Sequence, residues 1–360
     1  MASSKKKEQL IESLDAFDAM VAKTGNEYMD LIDPETAGVA NPVDTGSYLL
    51  NAQVSGSIYG GLPGNQISVL AGEKASGKTF ILLKAVKMFL KNPEARAIVW
   101  ETEWATHEQD LAERGIDTSR CKLLRARTVE EVHHQMSKAL DAYIKNKLQF
   151  PLFFGLDSAG MLATDDEVTQ LSKGEDKTDM GTKAKLLKKV FRTMSIPLGV
   201  AGVPLVATNH IAIDRNSNPN PKYQRRQQVG GTGIEYASTT TLFFSKSWDK
   251  ENDEKVGVLI NSKVEKGRKA IEGTQVELKL SFKTGLNRYY GLLDIASDAG
   301  IIQRLDNRYK LGSHGLMYEK QILRDPKKFF TKEFLDEVDK ACQERFKYQN
   351  PETDDVLAEE

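Results

Sequence analysis

Residues 70–82 read LAGEKASGKTFIL, and no other stretch restricts the fold as much. Gly72, Gly77, Lys78 and Thr79 satisfy G-x-x-x-x-G-K-[ST] without a mismatch. That pattern works only between a strand and a helix. The strand end anchors a tight glycine turn, and the helix N-terminus presents N–H groups and a positive dipole end to an anion. Both flanks comply: QISVL (Gln66 to Leu70) reads as a buried strand and TFILLKAVKMFL as a helix. The segment Gly72, Glu73, Lys74, Ala75, Ser76, Gly77, Lys78, Thr79 is therefore expected to cradle a triphosphate, with Lys78 at the β- and γ-phosphates and the Thr79 hydroxyl on Mg²⁺.

A strand carrying such a loop needs a sheet around it. From Gln66 to about Asn209, short apolar runs alternate with helical ones. The expected strands are QISVLA, AIVWE (97–101), CKLLRA, LFFGLD (152–157) and PLVATN (204–209), with helices near 79–91, 106–114, 129–147 and 182–198. Such alternation predicts an α/β fold, a mostly parallel sheet covered on both faces. TTTLFFSK, KVGVLINSK and TQVELKLSF follow with only turns between them and read as antiparallel strands extending that sheet. Beyond Gly291 a smaller mixed segment has amphipathic helices near 292–300 and 331–347.

Residues 5–22 place Leu10, Ile11, Leu14, Phe17, Met20 and Val21 on one helical face. The polar stretch DLIDPETAGVANPVDTGS detaches this helix from the phosphate-binding unit, so its stripe must be buried on its own core or on a neighbouring subunit. The expected divisions are a helical arm (1–40), a core built around the phosphate loop (41–290), a small C-terminal α+β segment (291–350) and an acidic tail (351–360).

Bulk composition excludes more than it identifies. Net charge is −1, so any nucleic-acid site has to be local. No apolar run approaches membrane-span length, and MASSKKKEQL has no signal-peptide core, so the expectation is no membrane and a cytoplasmic location. Cys121 and Cys342 lie far apart in no metal-binding spacing.

Hydrolysis needs further acids. Asp157 ends the run LFFGLD, where a carboxylate supports Mg²⁺ beside Thr79. AIVWETEW ends in Glu101 and Glu103, two residues apart and hence on one face of an extended chain. Either is a candidate to activate water. After PLVATNH the period breaks down for about twenty residues, IAIDRNSNPNPKYQRRQQVGGTG. Arg215, Lys222, Arg225 and Arg226 stand there against one acid, Asp214, with Tyr223 interleaved. Cations with a ring suit a single-stranded backbone and its bases. A second irregular segment, AGMLATDDEVTQLSKGEDKTDMG, follows Asp157 and feeds a helix whose outer face carries Lys183, Lys185, Lys188, Lys189 and Arg192, read as a solvated face. Both segments leave strand ends beside the phosphate site, where triphosphate state can bias their order.

Taken in order and spacing, AGEKASGKT, VWETEW, FFGLDSAG and VATNH with its basic loop and GGTG resemble the RecA family of recombinases, and within it those of T4-like phages. GGTGIEYASTTTLFF, KVEKGRKA and YYGLLDIASDAG add to the likeness, which covers roughly Asp44 to Gly300. The resemblance implies a RecA-like P-loop core binding ATP and Mg²⁺ between adjacent protomers of a helical filament on single-stranded DNA. It implies pairing of that strand with homologous duplex DNA, in recombination, repair and recombination-dependent replication, with single-strand-binding and loader proteins as further partners and the host cytoplasm as location if phage-encoded. By position, Glu103 rather than Glu101 matches the water-activating carboxylate, and His210 the residue that reads the γ-phosphate. The two irregular segments match two DNA-binding loops, with Gly230 and Gly231 closing the second. Lys263, Lys266 or Arg268 match cations reaching a neighbour's triphosphate. His107 and Asp110 stand where bacterial RecA sandwiches adenine between an aspartate and a tyrosine, which leaves base specificity open. The alternatives on the same motifs are a hexameric helicase motor and an ATP-gated assembly protein without DNA activity.

Overall fold

The computed structural model describes residues 41–175, 180–213, 226–231, 233–312 and 314–348, together with Met20. The expected helical arm, apart from Met20, and the acidic tail fall outside the described residues.

From residue 41 onward the first element is a helix that the sequence pattern did not announce, Tyr48–Ser55 (α1). Ser47 caps it by accepting the Leu50 N–H, and Gly56 ends it at φ 80°. Its burial runs all round, Asn51 and Gln53 included, so no stripe marks it. Gln53 is satisfied inside: its Nε2 donates to the carbonyls of Ser262 (2.9 Å) and Thr274 (3.0 Å), and its Oε1 accepts the Ser262 hydroxyl at 2.7 Å.

The phosphate-loop unit follows as Ile67–Gly72 (β1) and Lys78–Phe89 (α2). Then come Arg96–Glu101 (β2), Glu108–Glu113 (α3), Cys121–Arg125 (β3), Val129–Lys145 (α4) and Leu152–Asp157 (β4). The segment after Asp157 is more ordered than its composition suggests. A 3₁₀ turn Ala159–Met161 leads to a helix Asp165–Ser172 (α5), opened by a reciprocal cap between Thr164 and Glu167. Met180–Ala201 (α6) leads into Leu205–Ile213 (β5), four residues longer at its far end than the expected strand. Arg226–Gln228 (β6) returns antiparallel against it, with Ile211 opposite Gln228 and Ile213 opposite Arg226. The expected twenty-residue irregular loop is thus a hairpin whose feet are strand.

A short helix Gly233–Ala237 (α7) precedes Thr240–Glu251 (β7), Glu254–Gly267 (β8), Gln275–Ser281 (β9) and Gly285–Leu286 (β10). The main sheet runs β10-β9-β8-β7-β1-β5-β4-β2-β3, with β6 paired to β5. From β7 to β3 the pairings are parallel, and β8 to β10 extend them antiparallel. Alternation along each central strand feeds two apolar layers. Leu70 and Phe153 face one with Ile81, Leu82 and Ile260, and Val69 and Phe154 face the other with Trp100, Phe191 and Leu198. Each such buried ring contributes roughly 2 kcal/mol.

The C-terminal part is a helix Leu292–Asp298 (α8), a three-stranded meander of Gln303–Leu305, Arg308–Lys310 and Leu316–Tyr318 (β11 to β13), short helices Glu319–Ile322 (α9) and Pro326–Phe329 (α10), and Lys332–Phe346 (α11). Val338, Cys342 and Phe346 of α11 enter the same apolar layer as Leu50 and Val54 of α1. Asp339 fastens the contact by accepting the Ile58 N–H and the Ser57 hydroxyl, both at 2.7 Å. Among the described residues no helix is long and apolar enough to cross a membrane.

Candidate active site

Strand register assembles the site. Gly72 at the end of β1 lies beside His210 of β5, and Glu101 at the end of β2 lies beside Asp157 of β4. The carboxyl ends of adjacent parallel strands are where open α/β sheets hold ligands.

The loop from Gly72 to Lys78 requires its glycines. Gly77 caps α2 at φ 93°, a conformation costly for residues with a Cβ, and a Cβ there would stand 2.5 Å from Ile260 Cδ1. A Cβ on Gly72 would meet the Phe244 carbonyl oxygen at 2.5 Å. Lys78 is buried, and its ammonium donates to the carbonyls of Gly72 (3.0 Å) and Glu73 (2.7 Å). Burial pulls its pKa down, against the opposing pull of Asp157 and Glu103. The Ser76 hydroxyl is buried with no hydrogen-bond partner among the described residues. A buried ammonium closed on loop carbonyls and an unsatisfied hydroxyl beside it are the groups a phosphate would engage, so the residues present fit a triphosphate.

Asp157 is buried, which pushes its pKa up, while hydrogen bonds from the Thr208 and Thr79 hydroxyls work the other way and Glu103 and Glu101 add repulsion. Thr79 and Asp157 thus meet at the mouth of the loop. Mg²⁺ is usually held by one or two protein groups together with phosphates and water, and this pair suits that role.

The two glutamates do not share a face. β2 stops at Glu101, and the chain turns sharply behind it. Glu101, only 3% exposed, uses both oxygens on that turn. Its Oε1 accepts the N–H groups of Glu103 (3.3 Å) and Ala105 (2.8 Å), and its Oε2 accepts that of Trp104 (2.8 Å) and pairs with Arg125. The turn sends Glu103 back toward the phosphate side. There its Oε1 accepts the Ser158 hydroxyl at 2.9 Å and lies 3.4 Å from His210 Nε2. It sends Trp104 outward, at φ 57° and 69% exposed. Arg125, which sequence reading passed over because it lies on a separate strand, stacks under the Trp104 ring at 4.4 Å and donates to the Thr106 carbonyl at 2.6 Å.

His107 and Asp110 form the cap of α3: the Asp110 carboxylate accepts the His107 N–H at 2.7 Å. Beside α2 a cleft of about 270 Å³ is lined by Phe80, Lys84, Lys87, Arg114 and Gly285.

Of the expected DNA-contacting residues, Arg215, Lys222, Tyr223 and Arg225 lie outside the described residues, and Arg226 is described in its backbone alone. Gly230 and Gly231 follow β6 at φ 88° and 75°, against Leu187 and Ala184 of α6. Asn209 holds this return by donating to the carbonyls of Gln228 (3.1 Å, side chain) and Val229 (3.0 Å, backbone). Lys266 Nζ donates to the carbonyls of Glu235 (2.8 Å) and Tyr236 (3.1 Å), and burial together with Arg268 depresses its pKa. Lys263 pairs with Glu265 at 2.9 Å.

No family model matches the chain. The chain is 26% identical over 260 residues to the Recombination and repair protein of enterobacteria phage T4, a match covering 72% of this chain and 64% of that protein, just under two thirds of its length. It is 23% identical over 307 residues to Protein RecA of Paracoccus denitrificans, covering 80% of each chain, and 23% identical over 283 residues to Protein RecA of Thermus aquaticus, covering 76% of each. With the phosphate loop on the β1–α2 turn, the parallel sheet extended by antiparallel strands, and these similarities, the chain is a relative of the RecA-family recombinases.

Proposed function

We propose that this protein is an ATP-dependent recombinase that assembles on single-stranded DNA and pairs it with homologous duplex. The observation that carries the proposal is the turn behind Glu101. It puts a half-exposed carboxylate, Glu103, between Ser158 and His210 at the mouth of the phosphate loop. In this reading Glu103 takes the proton of the attacking water, and His210 next to it registers the γ-phosphate. Lys78 and the loop N–H groups hold the phosphates, and Thr79 and Asp157 hold the metal. Mg²⁺, when bound, supplies charge neutralisation of the β- and γ-phosphate oxygens. The second loop, rising from β5 and β6 next to His210, carries the single strand on Arg215, Lys222, Tyr223, Arg225 and Arg226, so phosphate state and DNA grip share one hairpin base.

The same register supports assembly. Gly267 of β8 lies opposite Thr240, and Thr240 lies beside Ser68 near the start of β1. Lys266 and Arg268 therefore sit at the amino-terminal edge of the sheet, about 13 Å along the strand direction from the phosphate loop at Gly72. Cations on that edge serve a triphosphate only across a boundary between copies, stacked head to tail. Heterologous contacts of this kind build filaments when the rotation does not close.

The test is ATP hydrolysis with and without single-stranded DNA, with duplex DNA and Lys78→Ala as controls. The expected result is stimulation by the single strand and loss of turnover in Lys78→Ala. A rate indifferent to DNA overturns the recombinase reading in favour of an ATP-gated assembly protein.

A further inference from the structure

Trp104 stands out from the surface of its own copy. Its ring is 69% exposed in a backbone conformation that bulky residues avoid, held there by the Glu101–Arg125 framework. One face rests on the Arg125 guanidinium and an edge meets His107, with ring centroids 6.1 Å apart. Among the described residues no other ring or cation meets it. At the opposite edge of the sheet, α7 exposes a second ring, Tyr236, to 72%, and its carbonyl receives Lys266.

We infer that Trp104 of one copy packs against the Tyr236–Lys266 corner of the next, and through the shared turn positions Glu103. This contact rests on the filament reading above. Charge selects the occupant. Glu103 precedes Trp104, and Glu108 and Asp110 open α3 just after it, so this segment carries more acid than the one guanidinium under the ring offsets, which disfavours a nucleic-acid backbone. The corner bearing Tyr236 carries Lys266, Arg268 and Lys269 against Glu235 and Glu272, an excess of the complementary sign. The two patches lie on opposite edges of one sheet, so no copy satisfies its own pair, and head-to-tail stacking brings them together. An exposed tryptophan propped on a guanidinium is the kind of aromatic anchor that interfaces bury. Because Glu103 and Trp104 leave the same three-residue turn, ordering the ring orders the carboxylate.

Full-length Trp104→Ala, Trp104→Phe and Tyr236→Ala test this, with binding of a fluorescent ATP analogue by the unassembled protein as the control for folding. In sedimentation with ATP and a thymidine homopolymer strand, each alanine variant is expected to need about tenfold more protein to assemble. Trp104→Phe should recover most of the loss. The double variant should do no worse than the weaker single one. An equimolar mixture of the two alanine variants should yield dimers, because an intact Trp104 meets an intact Tyr236 only where a Tyr236→Ala copy precedes a Trp104→Ala copy, and that pair offers no second intact boundary. The emission difference between wild type and Trp104→Phe should shift to the blue on assembly. Unchanged assembly of both alanine variants, additive losses, or a Trp104 signal that responds to DNA in unassembled protein overturns the contact. Failure of the wild type to assemble with ATP overturns the filament reading itself.

Discussion

Replacing Glu101 and Glu103 in turn by glutamine separates two acids that stand two residues apart. In Glu101→Gln one carboxylate oxygen becomes an amide nitrogen. On the Oε2 side that removes the acceptor for the Trp104 N–H and the partner of Arg125. A charge-assisted hydrogen bond contributes about 1.5 kcal/mol or more, and stranding one member of a buried pair costs several. Arg125 is 29% exposed and recovers some hydration, which brings the expected loss to about 3 kcal/mol. Glu103 is 36% exposed and accepts one hydroxyl, so Glu103→Gln should change stability by less than about 1 kcal/mol. Its effect belongs in the rate: loss of a general base lowers kcat by about 10²–10⁴. Denaturant unfolding of both variants, beside single-turnover hydrolysis, reads the two quantities separately. A Glu101→Gln protein as stable as wild type but inactive, with Glu103→Gln hydrolysing normally, would refute the assignment and reverse the roles.

Replacing Arg225 and Arg226 together should weaken single-strand binding and flatten its dependence on salt by about one unit of slope per cation lost; a titration series between low and moderate salt measures this, and an unchanged slope puts the DNA path elsewhere. Burial raises the Cys121 thiol to about 11 and the Cys342 thiol to about 12, so neither should react with a disulfide reagent at pH 8 until the protein unfolds. Because both folded values lie above the usual 9.0, their contribution to stability is complete below that value and should fade as pH climbs through it toward 11 and 12. Burial alone would raise the Asp44 pKa, but Arg288, Asn51 and the Gly46 N–H outweigh it and hold it down. That stability is present above 3.8 and lost as acid carries the pH through the folded value, so Asp44→Asn should unfold with a shallower acid limb.

The parts of this fold that sequence makes plain are those whose burial has one cause. QISVL, AIVWE and LFFGLD lie inside a covered parallel sheet, and a run buried on both faces cannot hide. Helix α1 escaped because two polar residues are buried in it with their partners supplied, Asn51 by the nearby Thr45, Asp44 and Ile58 and Gln53 by the distant Ser262 and Thr274, which erases the apolar stripe. Helix α5 was legible in its cap, Thr164 with Glu167, but not in its composition. In IAIDRNSNPNPKYQRRQQVGG the polar middle masked strand feet at IAI and RQQ that only pair with each other once the chain has doubled back. At the site, the phosphate loop and Asp157 follow from local pattern. The division of labour between Glu101 and Glu103 does not, because it depends on Arg125, placed by the β2–β3 pairing.

The clasp between Asp339 and the Ile58 N–H has a consequence for how the protein is made. Its partners are separated by 281 positions, so a ribosome working at 5–20 residues per second leaves the Ile58 amide waiting for about 15 to 55 s. For that interval α1 can pack on β8 and β9 once they are made but lacks the cover of Val338, Cys342 and Phe346, which have yet to emerge. The nascent chain therefore closes this core last at the seam between α1 and α11. A chain cut short before residue 339 keeps its phosphate loop and loses the latch that shuts the core behind it.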